Sequence, residues 1–218
     1  MAIRLVYYDP QYPTCWVNKE ISKRVCIYFT QRGFKEVNAN ELAKIMDEVV
    51  RAKEAVNTVA VFAQDIAPAT IAYGPLPDNL IRRYLDLGGR VVWIGDVPFF
   101  YQGHFNEKRE SWGFIGERQI LGVFTHFTWP LHVDMTANGF KWGLKLKWTG
   151  YRPAAPSPSS LTYILASSQG GAYAHAWLKN FNKDYPNSGF LRIWDYALHD
   201  ISDRMLEELY NVSTHLLE

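Results

Sequence analysis

The sequence predicts a doubly wound α/β protein: a mostly parallel sheet with antiparallel strands added in its second half. A continuous apolar run at 58–63, and mostly apolar runs at 3–8 (interrupted by Arg4) and 90–95, read as buried strands of a parallel sheet. Segments with helical spacing of apolar residues separate them, which implies right-handed strand–helix–strand crossovers. Beyond residue 99 the pattern changes to short strand-like runs between turn-forming residues. At 218 residues the chain is long enough for one sizeable core, and a single domain over 1–218 is the simplest organisation.

Each element has its own local reason. The first strand is closed by Asp9-Pro10 and Pro13. Val17, Ile21, Val25, Tyr28 and Phe29 then recur at helical spacing, and Gly33 stands where a left-handed cap belongs. Residues 34–37 read as a second strand. Asn40 is the expected cap of a helix whose apolar face is Leu42, Ile45, Met46, Val49 and Val50. After the strand at 58–63 and a turn-rich stretch at 67–77 comes a helix carrying Leu80, Ile81, Tyr84, Leu85 and Leu87, ended by Gly88-Gly89. The strand at 90–95 follows.

The second half reads differently. Residues 99–116 are expected to be a long aromatic loop, and 117–121 one or two helical turns. Runs at 131–136, 144–149, 161–166, 172–178 and 190–194 are predicted to be antiparallel additions to the sheet. Asn138-Gly139, the Pro/Ser stretch 153–160, Gly170-Gly171 and residues 180–189 separate them. A final helix over 202–217 presents Met205, Leu206, Leu209, Val212, Leu216 and Leu217.

Composition excludes several partners. Basic and acidic side chains number 23 and 22, a formal charge of +1, with no block of like charges to attract nucleic acid or an anionic membrane. No apolar run approaches the roughly 18 residues of a membrane span, and the apolar start is too short for a signal peptide, so a cytoplasmic protein is expected. Cys15 and Cys26, if both on the first helix, stand roughly 16 Å apart at ~1.5 Å rise per residue. That is beyond the reach of about 7 Å between the Cα atoms of a disulfide, so both are expected to be free thiols.

Residues 58–65, Thr-Val-Ala-Val-Phe-Ala-Gln-Asp, and 80–95, Leu-Ile-Arg-Arg-Tyr-Leu-Asp-Leu-Gly-Gly-Arg-Val-Val-Trp-Ile-Gly, resemble the centre of class I glutamine amidotransferase-like domains. There a strand leads to a helix reading roughly L-x-x-Y-[VL]-x-x-G-G, and a second strand ends at the nucleophile elbow. The later pattern is similar to the ThuA-like branch, which is linked to sugar metabolism, and to non-catalytic domains attached to some β-galactosidases. The resemblance implies this fold and a carbohydrate-related role. It does not extend to amidotransferase chemistry, which needs a cysteine thiolate on the turn after the second strand. Here that turn reads Ile94-Gly95-Asp96-Val97-Pro98. The superfamily's C-terminal His-x-Glu pair is missing too, with Trp194-Asp195-Tyr196 and His199-Asp200 the nearest candidates.

Asp65 and Asp96 follow the carboxyl ends of predicted parallel strands, the edge at which open α/β sheets bind ligands. Either can hold sugar hydroxyls or act in acid–base chemistry; either can equally stabilise a turn. His104, His126 and His132 lie close in sequence, and His132 alternates with Asp134, yet no tight metal motif is present, so no metal site is assigned. Tryptophan is abundant, with eight residues, and Trp112, Trp129, Trp142 and Trp148 fall outside the parallel core. Such rings suit stacking on sugar faces, or else a second core or an oligomer interface. Cys15 near a helix start is either an activated thiol or a buried inert one. No phosphate-binding or dinucleotide glycine motif occurs, and no cofactor is expected.

The leading expectation is a ligand-binding domain, with Asp65, Asp96, Phe99, His104, Trp112, His126 and Trp129 as candidate contacts to a small molecule, a sugar being the favoured class. One alternative is a hydrolase or isomerase using Asp96 with His104 or His126, with or without a metal. The other is a structural homo-oligomer with no small ligand.

Overall fold

The parallel half of the sheet is built around mostly apolar runs at 58–62, 90–94 and 189–193 that bury every side chain. In a computed structural model describing residues 2–155 and 160–217, β1 (Ile3–Tyr7) leads into helix α1 (Lys19–Thr30), whose buried stripe is Ile21, Val25, Cys26 and Phe29. Gly33, at φ 84°, lets the chain turn into β2 (Lys35–Val37). Helix α2 (Ala39–Ala52) is capped by Asn38, not Asn40: the Asn38 side chain accepts from the Asn40 and Glu41 N–H groups, and Glu41 reaches back to the Asn38 N–H. This reciprocal box satisfies donors that the helix cannot pair internally. β3 (Thr58–Phe62) is wholly buried; it precedes the short β4 (Ala67–Pro68), helix α3 (Leu80–Asp86) and the equally buried β5 (Arg90–Ile94).

The segment expected to be a loop is folded. β6 (Tyr101–His104) and β7 (Lys108–Ser111) form a hairpin whose turn uses Asn106 and Glu107 at φ 60° and 56°, and β6 pairs with β4 in a three-stranded sheet of its own. Polar residues dominate β7, which is exposed throughout, so no hydrophobic alternation marks it in the sequence. Helix α4 (Phe114–Leu121) ends at Gly122. β8 (Leu131–Met135) follows, and then Asn138-Gly139, expected as a separator, lies inside a short helix, α5 (Ala137–Lys141), capped by Thr136. β9 (Trp148–Gly150), β10 (Tyr163–Ser168), β11 (Tyr173–Lys179), β12 (Gly189–Ile193) and α6 (Asp203–Thr214) complete the chain. The centre of the Pro/Ser stretch, 156–159, lies outside the described residues.

The main sheet has nine strands in the order β2-β1-β3-β5-β12-β11-β10-β8-β9. Its first five form the parallel half, ordered like a flavodoxin sheet; the rest pair antiparallel. One expectation needs correction. The run at 190–194 is not an antiparallel addition but the fifth parallel strand, with Phe190 opposite Val91 and Ile193 opposite Ile94. Its partner on the other side, β11, runs antiparallel, so β12 joins the two halves.

Two apolar cores cover the two faces. One, under α2 and α3, centres on Phe62, Trp93, Phe99, Trp177 and Phe190; the other, under α1 and α6, holds Phe29, Trp142, Trp148, Leu191 and Trp194. Among the described residues no helix is long and apolar enough to cross a membrane. Cys15 and Cys26 are free, and Cys15 precedes the helix that was expected to carry it.

Asn38→Ala is expected to destabilise the chain by about 1 kcal/mol through loss of the cap. Urea unfolding checks this: the midpoint should fall while the slope stays constant.

Candidate functional site

At the carboxyl edge of the parallel strands the loops open into a cleft of about 780 Å³. Asp96 stands on its floor, directly after β5, where Gly95 at φ 94° turns the chain away from the strand. A Cβ at Gly95 would come within 2.9 Å of Val17, so the close approach of strand end and loop requires glycine. Asp96 Oδ1 accepts from the Val97 N–H at 2.9 Å and lies 3.5 Å from Arg152 Nε. Burial pushes the Asp96 carboxyl up, and Arg192 and Arg152 partly oppose it.

The walls are aromatic. Trp16, Trp148, Tyr151 and Tyr196 line the cleft, with Arg152 and His199 between them. Trp16 packs edge-on against Phe100 at 5.4 Å, Phe100 against Phe114 at 5.5 Å, and Phe114 against Phe127 at 4.9 Å. The chain of rings ends where the Arg152 guanidinium lies over Phe127, 4.1 Å from its centroid. A cation held on a ring face keeps its edge free to meet polar groups.

Asp65 sits behind this wall rather than in it. Its oxygens accept the N–H groups of Cys15 at 3.0 Å, Trp16 at 2.6 Å and Val17 at 3.2 Å. The buried carboxylate thereby holds the loop that presents the Trp16 ring, and desolvation raises its pKa to about 6 in spite of the three donors. Burial likewise raises the Cys15 thiol, which argues against an activated cysteine.

The other sequence candidates are dispersed. Phe99 is fully buried between Trp93 and Phe190, with φ 57°, and Trp112 packs half-buried against the same core. His104 lies on the hairpin 3.9 Å from Glu110. His126 is exposed and its N–H is bound to the Pro153 carbonyl, while Trp129 is 64% exposed. Neither histidine lines the cleft with Asp96. Among the described residues no three His, Cys, Asp or Glu side chains converge on a metal position; Asp134, next to His132 at 3.7 Å, is paired with Lys147 at 2.6 Å.

Two buried features have no counterpart in the sequence reading. Arg192, inside β12, is fully buried: Nε donates to the Gly95 carbonyl at 3.4 Å and Nη1 to that of Arg152 at 2.8 Å. Its charge acts on both Asp96 and Glu117. Glu117 is also fully buried and accepts from the Thr125 N–H and hydroxyl; desolvation pushes it to about 7. Beneath the cleft wall runs a second buried series. Asp195 accepts the Trp148 Nε1–H at 2.9 Å and the Arg152 N–H at 2.8 Å, and lies 2.7 Å from His175 Nδ1; His175 Nε2 is 2.8 Å from Ser168 Oγ. In the sequence Asp195 stands out only within Trp194-Asp195-Tyr196. Nothing local in the sequence ties it to residues 20 and 27 positions earlier.

A smaller hollow of about 460 Å³ lies at the opposite edge, around Arg90. That guanidinium is spent on the carbonyls of Ser213, His215 and Asn187, where it fastens the end of α6.

Two outcomes follow. Folded Glu117 keeps its proton to about pH 7, whereas the free side chain loses it near 4.5. Between those values the native state binds more protons, so stability should fall as pH rises through the window. Glu117→Gln should flatten that fall in melting temperature. Gly150 presents bare backbone to His175 and Asp195: a Cβ there would overlap His175 Nδ1 and Asp195 Oδ1. Gly150→Ala should therefore cost about 1–3 kcal/mol or more by overpacking, read as a lower urea midpoint.

The MJECL34 family model matches residues 3–215. One relative, "Uncharacterized protein MJECL34" of Methanocaldococcus jannaschii, is 26% identical over 203 residues, covering 89% of this chain and 67% of that protein. No solved structure matches. With nearly its whole length inside the family model, the chain belongs to the MJECL34 family.

Proposed function

We propose that the chain binds a small polyhydroxylated ligand, a carbohydrate, in the carboxyl-edge cleft, as a non-amidotransferase relative of the amidotransferase-like and ThuA-like proteins. The observation that carries this reading is Asp96 on the floor of a cleft walled by Trp16, Tyr151 and Tyr196. Aromatic faces suit the C–H faces of a sugar ring, and a carboxylate and a guanidinium suit its hydroxyls. The position supports it as well, since open α/β sheets receive ligands beyond the carboxyl ends of their strands. The volume of about 780 Å³ is in the range of small-molecule sites. Two free thiols fit a reducing compartment such as the cytoplasm.

Dispersal of His104 and His126 weighs against a hydrolase or isomerase built on Asp96 and those histidines. A specific observation does favour the interaction reading as a second possibility. Ile115, Phe124, Phe127 and Trp129 are 56%, 48%, 59% and 64% exposed within a short stretch of chain. Exposed apolar clusters of this kind mark contact surfaces.

A thermal-shift screen with neutral sugars and sugar acids distinguishes the two. A ligand at a hundred times its Kd adds ~2.7 kcal/mol to stability. The expected result is a sugar-dependent rise that Asp96→Asn weakens by about tenfold or more in affinity, the worth of a charged hydrogen bond. Trp129→Ala, outside the cleft, should leave the rise intact. A panel without any shift, together with a dimer by light scattering that Trp129→Ala dissolves, would replace the sugar reading with the interface one.

A further inference from the structure

We propose that Ser168, His175 and Asp195 form a nucleophilic relay that hydrolyses small acyl esters, an activity separate from ligand binding in the cleft. The order of contacts is the one acyl transfer requires. An ionised Asp195 can only accept, so the 2.7 Å contact assigns the proton to His175 Nδ1. Nε2 is then the acceptor for the Ser168 hydroxyl at 2.8 Å. This is the nucleophile–base–orienter series by which such relays are recognised, whatever the fold or chain order.

The surroundings fit that use. Asp195 is itself held by the Trp148 indole and the Arg152 N–H, which fix the carboxylate that orients the imidazole. Asp195 and His175 are fully sealed, with the bare backbone of Gly150 laid against them. Ser168 alone keeps some exposure, 5%, at the outward end of the series. It closes β10 where the chain enters the exposed turn Gln169-Gly170 and Gly171, whose φ values are 49°, 67° and 96°. Nothing lies within 4 Å of a Cβ built at either glycine, so the turn that follows Ser168 is open on its outer side. The N–H groups of this turn are the donors nearest in sequence to a developing oxyanion, the first from the residue after the nucleophile, as in other hydrolases.

The step balances without any further reactant but water. As Ser168 Oγ bonds to the carbonyl carbon, its proton passes to His175 Nε2. The ester C–O bond then breaks and the leaving alkoxide takes that proton. Water adds to the acyl-serine, giving its proton to His175, and the carboxylic acid departs as Ser168 regains its hydrogen.

An alkyl fluorophosphonate probe with peptide mapping tests the proposal, alongside hydrolysis of p-nitrophenyl acetate. The expected result is one adduct on Ser168, lost in Ser168→Ala and slowed about 100-fold or more in His175→Gln, in keeping with the worth of a general base. Because His175→Gln disturbs a buried network, Ser168→Ala, checked for unaltered unfolding, is the decisive variant. Ser168→Cys alkylated by iodoacetamide shows independently whether position 168 is reachable. A folded wild-type chain with no adduct on Ser168, or ester hydrolysis equal to that of Ser168→Ala, overturns the proposal. Failure of the sugar screen bears on neither result.

Discussion

The Asp195 carboxylate joins the two halves of the sheet. It follows β12, the last parallel strand, and accepts hydrogen bonds from Trp148 and Arg152 on the far edge of the antiparallel half, besides its contact with His175 on β11. The sheet order places β9 at the far edge of the antiparallel half, so these bonds curl that half back on itself. Removing one partner from a buried charged network typically costs several kcal/mol, because the group left behind has no water to turn to. The same bonds set the main chain at 148–152, from which Trp148, Tyr151 and Arg152 line the cleft. Fold closure and cleft wall thus rest on one side chain.

A parallel sheet interior has no place for charge, yet Arg192 lies fully buried in β12. Its guanidinium is answered by backbone carbonyls and by the carboxylates of Asp96 and Glu117. Burial favours the neutral acids while Arg192 favours the ionised ones, and the balance leaves Glu117 near neutrality. Beneath the cleft, Asp96, Glu117 and Arg192 thus form a mutually compensating set of buried charges, of which Asp96 alone lines the opening.

Asp65 shows how a buried carboxylate at the carboxyl edge of the sheet serves by holding backbone. Its three backbone contacts fasten the loop after β1 against the end of β3, at the point where the strand order reverses. That reversal normally opens a crevice. Here the loop occupies part of it, and the opening shifts toward β5, β12 and the 148–152 segment.

Much of the architecture was legible in the sequence because its causes are local. Period-3.6 stripes gave α1, α2 and α6, mostly apolar runs gave β1, β3 and β5, and Gly33 and Gly88-Gly89 marked ends. Asp96 could be placed at the ligand edge because a strand end is a local fact, and it alone of the seven candidate contacts lines the cleft. The direction of β12 was not local: residues 190–194 look alike in either orientation, and only pairing with β5, a hundred residues away in sequence, decided it. The hairpin of β6 and β7 hid in polar residues whose turn relies on Asn106 and Glu107 adopting left-handed backbone. Ser168, His175 and Asp195, like Trp16 and Arg152, were ordinary residues in the linear text. Their roles came from contacts across distant strands, since hydrogen bonds select by distance and angle in space, and spacing along the chain carries neither.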